Sequence, residues 1–456
     1  MIRDFRILVP GCLLLVGLVC LIGGSSRAAE GEPNEALLKM IIELVSDSDP
    51  DMRTLGLQQV RDDVPGEAVT AKFAALLPDL PVAGQVGLLD ALGDRKDPAA
   101  RPAVLKMLDS SEEPVRAAAL RALGPLGGVS DVALLTGKAV SGAESEKDAA
   151  RQSLIRLRGD EVNGTIVSAM AEAEPGARMV LLDVLAGRNA TETLPTVLKS
   201  AEDPEAGVSL AALGALRVLA DETHTAALVK ILKTAADDAR RRKAELALLV
   251  VCSRGRQACA ADIIAGLADA DPPSQIVLLH ALARAGGAEA LEAVATRLKD
   301  DNEAVRDEAV RMLSIWGDAA VAPWLLEIAK AAEKPRYRVL AIRGLVRLAS
   351  PQEDKPADLK TLAEVMKLAK RPQEKRLVLG VLGGVATSES LALVTPALDE
   401  AELAEEAGLA AVMIAERIKD GDRDAIRAAM EKVRQCAKNE QTLQGAGNIL
   451  EGAAKK

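Results

Sequence analysis

Residues 301–333 read DNEAVRDEAVRMLSIWGDAAVAPWLLEIAKAAE. Val305, Ala309, Met312, Leu313 and Trp316 fall on one face of a helix with 3.6 residues per turn. Asp301 or Asn302 supplies a short side-chain oxygen for the orphan N–H groups at the start of that helix. Gly317-Asp318 predicts its end, because glycine tolerates the left-handed backbone of a C-cap and aspartate favours the turn beyond. Val321, Leu325, Ile328 and Ala332 mark a second apolar face, with Pro323 in the first turn, where a missing N–H costs nothing. A two-helix unit of this size cannot hide its apolar stripes unaided, so the segment predicts neighbours of its own kind.

The rest of the chain supplies them. A polar residue, usually arginine, sits early in each first helix: Arg53, Gln85, Arg116, Arg151, Arg178, Ser209, Arg242, Gln275, Arg306, Arg338 and Arg376. The mean interval is about 32 residues, the signature of a repeat array. Second helices recur as well, with Pro102, Pro195 and Pro323 in the same place. Lysines such as Lys106, Lys199, Lys299 and Lys330 lie towards their ends, where they complement the negative pole of the helix dipole. The expected fold is all-α, a right-handed α-α superhelix of about eleven two-helix repeats over residues 35–436. A more polar capping helix and tail follow at 437–456.

Composition agrees. The 456-residue chain is 49% hydrophobic but only 1% aromatic. Helices packed in thin layers can run on aliphatic residues, whereas a deep globular core draws on aromatics too. A formal charge of −10 with few aromatics argues against nucleic acid, which rewards a basic groove and stacking platforms.

The blocks EEPVRAAALRALGPLGG (112–128) and DNEAVRDEAVRMLSIWGD (301–318) resemble the short HEAT repeats of the phycobilisome-lyase type. Those repeats open on an acidic residue and Val-Arg and close on Leu-Gly. The resemblance implies a solenoid in which acidic residues and the recurring arginine interact between neighbouring turns, and in which second helices line the concave surface. Repetition builds extended surface rather than a pocket of convergent polar groups, which favours a scaffold that binds protein through its concave face. The alternative, implied by the resemblance, is a bilin-lyase-like chaperone or enzyme holding a tetrapyrrole. A variant of the first is an accessory subunit of an exported redox or carbohydrate-degrading complex.

Residues 1–28 read as an export signal. Arg3 and Arg6 precede an apolar run from Ile7 to Gly24, and Ser26-Arg27-Ala28 offers small residues for cleavage after Ala28. Residues 29–34 form a short linker. Left uncleaved, the run would be long enough to anchor the chain in a membrane. The expected location is the periplasm or cell surface. In such a compartment Cys252 and Cys259 can close a small loop as a disulfide, or remain as two small buried hydrophobes.

No catalytic constellation emerges. The chain has only two histidines, and both read as surface residues: His224 lies in a polar turn and His280 in a solvent-facing place on a first helix. Neither is followed by glutamate, as a di-iron site of this fold class would require. No GxSxG elbow occurs, and the glycines at 124–128, 285–287 and 380–384 read as helix stops rather than phosphate loops. The reading is therefore non-enzymatic, with no metal and no cofactor. The aromatic residues Trp316, Trp324 and Tyr337 cluster within one short span. Trp316 belongs to a buried stripe. Trp324, on a second helix, and Tyr337 are the candidate anchors for a protein partner.

Overall fold

The computed structural model describes residues 35–418 and 422–454. The export signal expected at 1–28 and the linker at 29–34 lie outside them. Among the described residues the regular elements are helices, with one isolated backbone bridge between Gln352 and Lys355. The fold is all-α and built as a HEAT-like superhelix.

The segment 301–333 forms two helices, Glu303–Ser314 and Ala322–Ala331. Asn302 is the N-cap, its side chain accepting from the backbone N–H groups of Ala304 and Val305 at 2.9 and 3.3 Å. Val305, Ala309, Leu313, Val321 and Leu325 are fully buried, and Met312 and Trp316 nearly so. The stop differs from the expectation. Gly317 is not among the residues with positive φ; the helix already ends at Ile315. Asp318 then starts the next turn by accepting from Ala320 N–H at 2.8 Å.

First helices begin at residues 50, 82, 113, 144, 175, 206, 238, 272, 303, 335, 372 and 404, all but the last followed by a shorter second helix. These make twelve helix pairs among the described residues. They are flanked by a lone helix Glu35–Val45 before and Glu440–Ala454 after. The twelfth pair, Ala404–Ala415 with Arg423–Cys436, escapes the arginine marker because its first helix carries no early arginine. The marker also slips where arginine is not the fourth helical residue. Lys147 holds that place rather than Arg151, Arg241 rather than Arg242, and Lys375 rather than Arg376.

Two compact units divide the described residues, parting between Ala122 and Leu123. In the first, Glu35–Val45 packs on Pro50–Asp62, which packs in turn on Val82–Arg95. Its core is Ile41, Val60, Phe73, Leu88 and Leu92, all fully buried. In the second unit the first helices stack consecutively from Pro175–Gly187 to Ala404–Ala415, each against the next. Leu181, Leu216, Leu248, Leu282, Leu313 and Leu382 recur in that interior.

Close helix contact needs small residues at the crossing points. A Cβ on Gly344 would lie 2.7 Å from the Ser314 carbonyl oxygen, so only glycine lets helix Pro335–Ala349 approach its predecessor. Of the glycines read as stops, Gly286 and Gly287 do have positive φ, at 69° and 87°. Gly383 still belongs to helix Pro372–Gly383 and sits where Ala410 of the next first helix comes close.

Candidate functional site

Five of the early arginines do two different jobs. Arg53, Arg116 and Arg306 reach back along their own chain to the turn before the helix. Arg53 Nη1 donates to Asp47 O at 2.9 Å, Arg116 Nη1 to Ser110 O at 2.8 Å and Ser111 O at 2.9 Å, and Arg306 Nη1 to Asp301 O at 2.8 Å. Gln275 does the same with Ala270 O at 2.9 Å. A long donor at this position satisfies the carbonyls of the turn between repeats, groups that would otherwise be left without partners. Two others bridge to the next repeat: Arg178 pairs with Asp203, and Arg376 with Glu406 at 2.6 Å. Arg151 pairs within its own helix with Asp148, and Arg338 buries its Nε without an acceptor.

A second arginine series, which the sequence reading missed, ties first helices together. Arg95, Arg188, Arg254, Arg347 and Arg417 lie at the C-terminal ends of their first helices. Each donates to backbone carbonyls at the end of the preceding first helix. Arg188 Nη1 meets Leu154 O, Ile155 O and Leu157 O, all at 2.9 Å. Arg95 meets Val60 O at 2.8 Å and Asp63 O at 3.0 Å. Arg254 reaches Ala220 O at 2.7 Å, and Arg347 reaches Trp316 O at 2.6 Å. Arg417 closes on Gly383 O. Helix C-termini leave carbonyls without intrahelical partners, so these guanidinium groups cap the helix of a neighbour. Burial lowers the pKa of Arg95 and Arg188, with Asp97 and Glu192 countering it in part.

His280 is more than the surface histidine the sequence suggests. It lies on helix Pro272–Ala285 and points each ring nitrogen at a carboxylate on a different neighbour. Nδ1 is 3.0 Å from Glu245 Oε1 and Nε2 is 2.9 Å from Glu308 Oε1. Arg311 also holds Glu308, through Nε at 2.9 Å. Two carboxylates acting only as acceptors demand a ring that donates from both nitrogens, which is the imidazolium. The Glu245 and Glu308 hydrogen bonds raise the His280 pKa to about 9, against the opposing effect of burial. Burial pushes Glu308 upward, but the bonds from His280 and Arg311 together prevail and hold it low. His224, by contrast, stays local, with Nδ1 2.6 Å from Asp221 Oδ1.

The candidate anchors separate in kind. Tyr337 is engaged within the chain: its hydroxyl donates to Asp307, and Lys334 and Arg336 lie 5.1 and 5.4 Å from its ring centroid. Those two cations also pair with Glu303 and Asp307 of the preceding repeat. Trp316 is buried, whereas Trp324 is half-buried on helix Ala322–Ala331. Lys330 of that helix pairs with Glu364 of the next second helix at 3.0 Å. Cys252 and Cys259 are buried free thiols in contact with one another. Burial, and then the neighbouring Cys259, push the Cys252 thiol well above its ordinary pKa.

Among the described residues no group of three or more His, Cys, Asp and Glu side chains is placed to hold a metal ion. None of their helices is long and apolar enough to cross a membrane.

A family profile described as HEAT repeats matches residues 70–155 and 260–346. No curated protein matches the chain. Among solved structures, the chain is similar to the karyopherin Kap121p bound to the extreme C-terminus of the protein phosphatase Cdc14p. That likeness has 13% identity and a TM-score of 0.51, over 92% of this chain and 53% of the karyopherin. Kap121p bound to Ste12p matches with a TM-score of 0.50, 13% identity and the same coverage. The chain thus spans about half the length of these karyopherin chains, and the likeness is one of fold.

Proposed function

We propose that this HEAT-repeat chain is a non-enzymatic, exported scaffold that binds a protein partner through the surface of its second helices. One observation carries the reading: Trp324 on such a helix is only half-buried, in a chain that is 1% aromatic. An amphipathic aromatic left partly in water is an apolar contact that no neighbour within the chain has fully covered. Such residues concentrate binding energy at protein interfaces. Repetition supports the same reading, since stacked hairpins generate extended surface rather than one enclosed pocket of convergent polar groups. The apolar run at 7–24 behind Arg3 and Arg6 supports export.

Affinity capture from the envelope fraction, with wild-type and Trp324→Ala proteins side by side, tests the anchor. The expected result is a partner retained by wild type and lost by the variant at unchanged thermal stability. Equal capture by both proteins sinks the anchor. Mass spectrometry of the purified protein tests export. An N-terminus at Ala29 is the expected result, and a cytoplasmic chain beginning at Met1 overturns it.

A further inference from the structure

A cleft of about 610 Å³ opens between the ends of three successive first helices, lined among others by Arg256, Arg284, Gly286, Gly287, Trp316 and Asp318. Its origin lies in a missing clasp. Arg284 occupies the helical position that Arg347 holds two repeats later. Arg347 uses it to cap the preceding first helix through Trp316 O and Ser314 O. The helix before Arg284 is Asp238–Gly255, 18 residues long where its neighbours in the stack have 12 to 15. The extra turn carries its last carbonyls away from the place where the clasp would find them. Arg284 is consequently exposed and makes no hydrogen bond or ion pair, unlike the five arginines of the clasp series.

The same insertion delivers a second cation. Arg256 follows the helix in a left-handed backbone conformation, φ 51°, which a residue with a Cβ adopts only under constraint. It too is exposed and makes no side-chain bond. Across the cleft the positive-φ Gly286 and Gly287 leave backbone in place of side chain. The one lining carboxylate, Asp318, is already engaged in capping Ala320 N–H.

We infer that this cleft is a binding site for an oxyanion, a carboxylate or phosphate group on a ligand, gripped by Arg256 and Arg284. Planar guanidinium forks match such groups in a two-point geometry, and two unpaired ones facing the single lining carboxylate, Asp318, leave this glycine-floored cleft net positive in an acidic chain. The site lies at the ends of first helices, so it is separate from the second-helix surface of the scaffold reading and stands without it.

Trp316 lines the cleft and reports on it. In full-length protein carrying Trp324→Phe, Trp316 is the sole tryptophan, and its emission can be followed while inorganic phosphate or a tetraglutamate peptide is added. A saturable change is expected with at least one probe, and which probe acts tells phosphate from carboxylate ligands. The double variant Arg256→Gln/Arg284→Gln is expected to weaken binding at least about tenfold. Arg256→Lys/Arg284→Lys, which keeps charge but loses the fork, should fall between. Should the glutamine pair fail to fold, the lysine pair alone decides. Absence of a saturable response to both probes overturns the inference. So does binding unchanged by whichever substituted pair folds.

Discussion

His280 Nε2 stands 2.9 Å from Glu308 Oε1, on the next first helix, while the opposite ring nitrogen faces Glu245 on the previous one. The ring thus joins three consecutive repeats only when doubly protonated. Its pKa, raised from 6.5 to about 9, means that folding favours the proton-bound form. The stability it contributes is fully present below about pH 6.5 and is lost as pH rises through about 9. The shift sets a ceiling of about 3 kcal/mol, reduced by the partial exposure of the ring. Thermal melts should show Tm falling between pH 7 and 10 in wild type and a flatter profile in His280→Gln. Parallel profiles would rule out the His280 bridge.

Arg188→Met should cost about 1–3 kcal/mol, because it strips the donor from three carbonyls and leaves buried acceptors unsatisfied. Denaturant unfolding measures this. A surface arginine such as Arg343 replaced by Met serves as the reference and should change stability by no more than about 0.5 kcal/mol.

Two glycine-to-alanine changes should have opposite signs. In Gly344→Ala the new methyl meets the Ser314 carbonyl oxygen at 2.7 Å, and the helices must part, at a cost of about 1–3 kcal/mol. Gly214, inside helix Ala206–Leu219, has open space around its Cβ position. Gly214→Ala should therefore stabilise by about 0.5–1 kcal/mol through helix propensity alone. If both variants shift the unfolding midpoint in the same direction, the packing argument fails.

Thiol labelling separates the two readings of the cysteine pair. In the native protein Cys436, which is half-buried, should react first with a maleimide. Cys252 and Cys259 should react only after unfolding, since both are buried and the Cys252 thiolate is disfavoured. Peptide mapping without reductant then decides: labelled Cys252 and Cys259 in the unfolded chain mean free thiols. The two left unlabelled while Cys436 is labelled mean a Cys252–Cys259 disulfide.

Local signals made the hairpin legible. The spacing of Val305, Ala309 and Leu313 and the cap at Asn302 act within one helix and leave a trace in adjacent residues. The clasp series left almost none. Arg188 binds carbonyls of residues 154–157, and a carbonyl belongs to every residue, so its acceptors cannot be recognised by type. An arginine near a helix end also reads plausibly as a complement to the dipole. His280 was misjudged for a related reason: Glu245 and Glu308 lie about one repeat away on either side and become neighbours only when repeats stack. Sequence position alone does not separate Tyr337, used within the chain, from Trp324, left partly in water.

Because the clasp grips main-chain oxygen, it places no demand on which amino acid the neighbour carries. A gene segment encoding one hairpin could be duplicated, lost or exchanged, and the new junction would close with the same chemistry from the first generation. Lengthening such an array over evolutionary time then requires no matched change on the other side of each seam.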